Sequence, residues 1–306
     1  MGSATPSVSV IVCTRDRPDQ LEPALRAVLA GDYRSFDLLV VDQSRDRTRA
    51  EATITGIDDP RLRLVHDDGA GLSRARNIGV RDTSGEIVVF TDDDCAPATD
   101  WLRRLVAAFR ADPSAGIVFG TVTPAPCDPA EGFIVGYTPP RRRRLVGRMS
   151  KRLDGGIGAN MALRRAALAQ TGPFDELLGA GGYFPSCEDG DMAYRALCAG
   201  WALLHEPEAV VVHYGLREWQ SGSDLTRRTY LAVAAAYTKH ARCGDPVGAL
   251  LVAHSMWLAS MNIAANAVRR RGPLGVRRLT SHLTGIRRSF ELKIHREARL
   301  YRPPSD

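Results

Sequence analysis

The feature that most constrains this chain is a rhythm in its first part. Apolar runs rich in β-formers, near residues 7–13, 36–42, 61–66, 86–91 and 117–122, alternate with segments of helical spacing. The first such segment opens at Asp19, which reads as an N-cap with Glu22 three residues on, and carries Leu21, Leu25, Val28 and Leu29 on one face. Another follows Asp100, with Leu102, Leu105, Val106 and Phe109 aligned. Strands joined by helices in this way run parallel, and an open parallel sheet takes its ligands at the carboxyl ends of its strands. The rhythm predicts an α/β chain with helices flanking a mostly parallel sheet.

At Pro124 the pattern breaks. Pro126, Pro129, Pro139 and Pro140 bracket an irregular segment ending in Arg141-Arg142-Arg143-Arg144, read as a loop or flap. A β-like segment resumes around Gly156–Leu163, followed by Pro173-Phe174-Asp175, a glycine-rich turn at Gly179–Gly182 and a helix after Ser186. Beyond about residue 215 strand signals stop and three helices are expected. Two of these occupy 247–270, with Leu250, Trp257, Met261, Ala264 and Val268 on one stripe, and 276–297. The expected division is residues 1–215 and a helical region 216–306.

Composition excludes several classes. With 44% hydrophobic and 25% charged residues the chain is neither disordered nor fibrous. Its six cysteines contain no CxxC pair, which fits reduced thiols rather than zinc or a redox motif. The apolar run begins almost at once, without the layout of a secretory signal, so the expected location is the cytoplasm. The net charge of +6 is concentrated at the end, where residues 265–306 hold 11 Lys and Arg against 3 Asp and Glu. No basic face with interleaved aromatics and no nucleic-acid-binding module accompanies it, so a nucleic-acid partner is not expected.

Chemistry concentrates at Thr91-Asp92-Asp93-Asp94, directly after the apolar run Glu86–Phe90. Adjacent carboxylates raise one another's pKa unless a cation is present, and such oxygen donors suit Mg²⁺ or Mn²⁺ shared with substrate phosphates. Residue chemistry alone equally admits an acidic turn capping the next helix.

The triplet sits in a series of segments that resembles a family 2 glycosyltransferase of GT-A fold. In order they are Val8–Arg17, Leu39-Val40-Val41-Asp42-Gln43-Ser44, Gly71–Gly79, Asp92-Asp93-Asp94, Gly158–Arg165, Gly172–Glu176 and Glu188–Arg195. The resemblance covers about residues 7–215. It implies a Rossmann-like GT-A sheet with a helical C-terminal extension, a nucleoside diphosphate sugar donor and an inverting transfer to an acceptor hydroxyl. The acceptor stays unidentified.

The same resemblance distributes roles. Thr14 and Arg15 lie beside the nucleotide, and Arg76 and Asn77 near the base and diphosphate. Gln43 stands where the family usually has an aspartate that accepts from the base; an amide can both donate and accept, which leaves the base open. Asp92 and Asp93 are both expected at the donor nucleotide, one or the other toward the ribose, while Asp94 and His213, after Val210-Val211-Val212, are the expected ligands of Mn²⁺ or Mg²⁺. Asp189 is the expected general base. Competing expectations are a nucleotidyltransferase and a catalytically silent partner-binding subunit.

The last predicted helix places Val276, Leu279, Leu283, Ile286, Phe290 and Ile294 on one stripe, surrounded by Arg277, Arg278, Arg287, Arg288 and Lys293. Such a helix fits three settings: packing on the preceding helix, a homodimer contact, or peripheral attachment of 276–297 to an anionic membrane.

Overall fold

The computed structural model describes residues 6–153, 155–268 and 274–303. The first half alternates β1 (Val8–Thr14), α1 (Pro18–Leu29), β2 (Phe36–Asp42), α2 (Arg47–Thr55), β3 (Leu62–His66), α3 (Leu72–Arg81) and β4 (Ile87–Asp92). Then come β5 (Cys95–Pro97), α4 (Trp101–Ala111), β6 (Ala115–Pro124), β7 (Gly132–Ile134), β8 (Arg143–Leu145), β9 (Met161–Arg164) and α5 (Arg165–Thr171). The remainder is α6 (Glu188–Cys198), β10 (Ala202–His213), β11 (Leu216–Glu218), α7 (Trp219–Arg242), α8 (Pro246–Val268), α9 (Leu274–Glu291), β12 (Ile294–His295) and β13 (Leu300–Tyr301).

One sheet organises the molecule, in the order β3-β2-β1-β4-β9-β6-β10-β5, with β8 also paired to β10. β1 runs parallel to both β2 and β4, and β10 runs parallel to β6. The strands are apolar on both faces because both faces are covered. Alternate side chains divide between two cores. Val10, Val12, Leu38, Val40 and Val89 meet Leu21 and Leu25 of α1 and Leu105 and Phe109 of α4. On the opposite face Ile11, Leu39, Val41, Val88 and Phe90 meet Ala75 and Ile78 of α3 and Met192 and Ala196 of α6. Each of these side chains larger than alanine stabilises the fold by roughly 1.5–3 kcal/mol relative to exposure. Gly79 lets α3 lie close, since a Cβ there would stand 2.5 Å from Ile11 Cγ2.

The sheet departs from the predicted parallel pattern at β9, which inserts antiparallel between β4 and β6. Asn160, just before it, is fully buried and donates to the carbonyls of Thr121 and Ala209 at 2.8 and 2.9 Å while accepting from Trp101 Nε1. It thereby satisfies carbonyls beside the register shift of the β6–β10 pair between Glu206 and Val210.

Several local expectations are corrected. Asp19 is not the N-cap: α1 starts at Pro18, whose missing N–H suits a first-turn position, and Glu22 accepts from Arg26 instead. The 124–144 segment contains the short strands β7 and β8, and strands recur beyond residue 215 as β11, β12 and β13. The last helix ends at Glu291, so Ile294 belongs to a hairpin. The expected helix 247–270 is α8; residues 269–270 and the side chain of Val268 lie outside the described residues.

The stripe of α9 does not pack as an apolar seam on its neighbours. Val276, Leu283 and Phe290 are exposed, whereas Ser281, His282 and Ser289 are buried. Gly285 explains the inversion: a Cβ there would stand 2.1 Å from the Leu231 carbonyl, so α9 approaches α7 along its small, polar side.

A third core, built from Leu231, Ala232 and Ala235 of α7 with Leu178, Phe184, Leu292 and Tyr301, joins the helices to the loop before α6. Beneath it lies a buried ionic cluster. Lys239 Nζ contacts Asp175 Oδ2 at 2.6 Å and Asp191 Oδ1 at 2.8 Å, and Asp191 also meets His240 Nε2 and Arg195 Nε at 2.9 Å.

Candidate active site

The carboxyl ends of β1, β2, β4 and β10 open into one cleft of about 920 Å³, whose lining includes Thr14, Gln43, Asp92, Asp94, Asp189 and His213. Strand termini deliver all of these but Asp189, which comes from α6, because a parallel sheet aligns its carboxyl ends along one edge.

The acidic triplet forms the floor. Thr14 Oγ1 donates to Asp93 Oδ2 at 2.7 Å, and Arg17 Nη1 lies 3.4 Å from Asp93 Oδ1 and 3.2 Å from Asp94 Oδ2. Burial pushes Asp93 up to about 6, only partly offset by the Thr14 hydrogen bond and the Arg17 charge. Asp92 is also raised by burial, against the pull of Arg76. Asp94 differs: burial would raise it, yet the hydrogen bond and charge of His213, with Arg17, hold it below its ordinary value.

His213 arrives from the end of β10. Its Nδ1 lies 2.7 Å from the Val135 carbonyl oxygen, which can only accept, so Nδ1 carries the proton there and Nε2 faces Asp94 Oδ1 at 3.3 Å. Burial would lower the imidazole's pKa, but Asp94 and the Val135 carbonyl hold it above the ordinary value. Asp94, Cys95 and His213 bring their ligand atoms within 4.8 Å of one another. Burial raises the Cys95 thiol far above its usual range, so it stays protonated and a poor partner for a hard cation. A carboxylate and an imidazole remain, a mixed oxygen and nitrogen donor set that fits Mn²⁺ better than the oxygen-preferring Mg²⁺. Gly215 supplies the room. A Cβ at that position would lie 2.5 Å from Asp94 Oδ2 and 2.6 Å from His213 Nε2, in the space an ion would take.

Across the cleft, Asp189 stands in the first turn of α6, where the helix dipole favours a carboxylate. Its Oδ2 accepts from the Gly158 N–H at 2.8 Å and its Oδ1 from Gly190 N–H at 2.6 Å. Cys187, with φ of 72°, turns the chain into this helix through a left-handed conformation uncommon for a residue with a Cβ. Glu188 points inward instead, and burial together with the neighbouring Asp189 charge pushes it up to about 7 despite Arg76.

The remaining predicted site residues are distributed unevenly. Arg15 lines the cleft with its side chain largely in solvent. Gln43 lines it too, but its amide is engaged at both ends: Nε2 donates to Asp67 Oδ2 at 2.8 Å and Oε1 accepts from the Gly71 N–H at 3.0 Å. Arg76 is 2% exposed and lies behind the cleft, bonded to Glu188 Oε1 at 2.9 Å, 3.9 Å from Asp92, and stacked near Phe90 and Phe174. It therefore reaches the cleft through Asp92, which lines it. Asn77 is not brought to the cleft; its amide holds Phe174 and Glu176 in the turn before α6.

Sequence reasoning missed Arg17, Asp67, Arg74 and Gly215. Asp67 follows β3 and is held down to about 2 by Arg74, with Gln43 adding to the effect. Its place after a predicted parallel strand was a usable signal. Arg17 lay inside the first motif, whereas nothing local marks Gly215.

Comparison with known proteins adds to this geometry. Residues 9–172 match the model of the family described as "Glycosyl transferase family 2". The chain is 29% identical over 221 residues to glycosyltransferase AglE of Haloferax volcanii, covering 70% of this chain and 68% of that protein. It is 28% identical over 186 residues to the glucosyl-dolichyl phosphate glucuronosyltransferase of the same organism, covering 57% of this chain and 58% of that one. Among solved structures, the mannosyltransferase PcManGT from Pyrobaculum calidifontis, in complex with GDP-Man and Mn²⁺, matches with a TM-score of 0.63 at 20% identity, over 94% of this chain and 88% of that one. At that identity the likeness shows the fold, which is the GT-A arrangement with a helical C-terminal region.

Proposed function

Because this chain belongs to glycosyl transferase family 2 and is a glycosyltransferase, we propose that it moves one sugar from a nucleoside diphosphate sugar to an acceptor hydroxyl with inversion and with a divalent cation. The observation that carries this reading is the pairing, in one cleft, of the Asp94–His213 cradle emptied by Gly215 with the Asp189 carboxylate opposite it.

In this reading Asp94 and His213 would hold Mn²⁺ or Mg²⁺, and the bound cation would supply positive charge to offset that of the diphosphate leaving group. Thr14, Arg15, Gln43, Asp92 and Asp93 bind the nucleoside portion. Arg76 and Asn77 act at one remove, through Asp92 and Glu188 and through the turn before α6. Asp189 takes the proton from the acceptor hydroxyl as that oxygen attacks the anomeric carbon. The Gly158 and Gly190 N–H groups orient the carboxylate for this step.

In this reading residues 1–215 form the donor-binding and catalytic part and 216–306 the acceptor side, to which Leu225, Tyr230 and Val233 of α7 contribute cleft lining. The six cysteines, all unpaired, favour a reducing compartment such as the cytoplasm. The experiment is direct: incubate the protein with Mn²⁺ and a panel of sugar nucleotides and follow release of the nucleoside diphosphate. No release from any donor, with or without candidate acceptors, overturns the reading.

A further inference from the structure

Helix α8 carries no Asp, Glu, Lys or Arg along its whole length, Pro246–Val268. Its stretch Pro246–Ala265 has a mean hydropathy of 1.4 and is long and apolar enough to cross a membrane, yet only 17% of it is buried within the fold. Leu250, Trp257, Leu258 and Met261 face outward, each about half exposed. A helix that is apolar on its outward face exposes surface that a solvated monomer would not keep.

The helix is nevertheless committed to the protein on its other side. Leu251 and Ala259 are buried, Gly248 brings the helix against α7 so closely that a Cβ would stand 2.7 Å from the Ala241 nitrogen, and Ser255 bonds His282 of α9 at 2.5 Å. The helices it packs on carry Arg227, Arg228, Lys239 and Arg242 on α7 and Arg277, Arg278, Arg287 and Arg288 on α9, charges that a hydrocarbon core disfavours, so α8 is placed to lie on a bilayer with its opposite face immersed.

The charge around it selects the surface. Between residues 246 and 293 the sequence holds eight arginines and lysines against a single acid, Glu291, which is already paired with Arg287. On α9, packed beside α8, the exposed Val276, Leu283 and Phe290 are interspersed with Arg277, Arg278, Arg287 and Arg288. A two-fold contact with a second copy would set these arginines against their own duplicates. Anionic headgroups would meet them with opposite charge while acyl chains receive Trp257 and its neighbours.

We infer that the outward face of α8, flanked by the arginines of α9, docks the protein on an anionic lipid bilayer without crossing it. The inference is independent of the donor, the metal and Asp189. It also changes the expectation drawn from sequence, since α8 rather than the stripe of 276–297 supplies the main apolar face.

The test is cosedimentation of the full chain with vesicles of phosphatidylcholine and phosphatidylglycerol in equal parts, and with phosphatidylcholine alone. Binding to the anionic vesicles at low salt, a blue shift of tryptophan emission, and at least a roughly tenfold loss of binding at high salt are expected. The double variant Trp257→Glu, Met261→Glu changes only outward side chains; it should keep the circular dichroism and melting temperature of the wild type and lose binding by about tenfold or more. Absence of wild-type binding at low salt overturns the inference, as does equal binding of the variant. A dimer that the double variant splits, with no vesicle binding by the wild type, assigns the face to a second copy instead.

Discussion

His213 Nε2 stands 3.3 Å from Asp94 Oδ1 because Cys95 and His213 are register partners in the antiparallel β5–β10 pair, which puts the residue before Cys95 alongside the imidazole. The cradle is thus fixed by sheet register. Loss of either ligand should act on metal without disturbing the sheet. Asp94→Ala is expected to abolish Mn²⁺-dependent donor binding, and His213→Ala to weaken it, in calorimetric titrations with nucleoside diphosphates. Unchanged metal-dependent affinity in both would leave the triplet as a structural turn.

Gly215 gives a steric counterpart. Gly215→Ala inserts a methyl group against Asp94 and His213, which keeps both side chains in the sequence but pushes one or both out of position. Metal-dependent donor affinity should fall by roughly 10–100-fold, the scale of disturbed support around a site, with little change in melting temperature. Normal Mn²⁺ dependence in this variant would put the cation elsewhere.

Asp189→Asn separates binding from chemistry. A general base acts on the acceptor, so the donor dissociation constant should stay within a few-fold while transfer drops by on the order of 10²–10⁴. Near-normal turnover would remove Asp189 from the role, and a product of retained configuration would remove the inverting mechanism.

Gln43 is already bonded to Asp67 and Gly71, so a base can be read there only by sharing those groups. Gln43→Ala should cost the true donor roughly 1–3 kcal/mol and should change the ranking of UDP, dTDP and GDP. An identical ranking before and after the substitution would mean that the base is read by other groups.

His240 offers a pH test away from the cleft. Burial, against the pull of Asp191, lowers it to about 4 from its ordinary 6.5. A base whose folded pKa is depressed contributes stability above the unfolded value and loses it as pH falls through the folded one. Unfolding by denaturant should therefore show on the order of 3 kcal/mol lost between about pH 6.5 and 4. His240→Gln should flatten that slope; an unaltered slope would assign the acid sensitivity to other groups.

Much of the fold was legible because the parallel strands announce themselves: Phe36–Asp42 is bounded as its apolar run predicts, and Asp92–Asp94 lies where the end of such a strand must point. What failed depends on pairings far apart in sequence. Nothing near Met161–Arg164 says that this strand will run against its neighbours, and nothing in α9 reveals that Gly285 will turn its small side inward. The partners of Gln43 and the depth of Arg76 are likewise tertiary facts. A spacing rule finds which side chains share a face, but which face meets protein is decided by the smallest residues.

The buried contact of Lys239 with Asp175 and Asp191 bears on how such enzymes diversify. Both carboxylates lie in segments that resemble the family's own motifs, while the ammonium comes from α7, which lines the cleft. Helices grafted from a relative without a matching cation would leave Asp175 buried without a cation and Asp191 with Arg195 alone, a loss of several kcal/mol. Side chains that line the cleft along α7 can change one at a time, but wholesale exchange of that helix requires the recipient to carry carboxylates that match its buried cation.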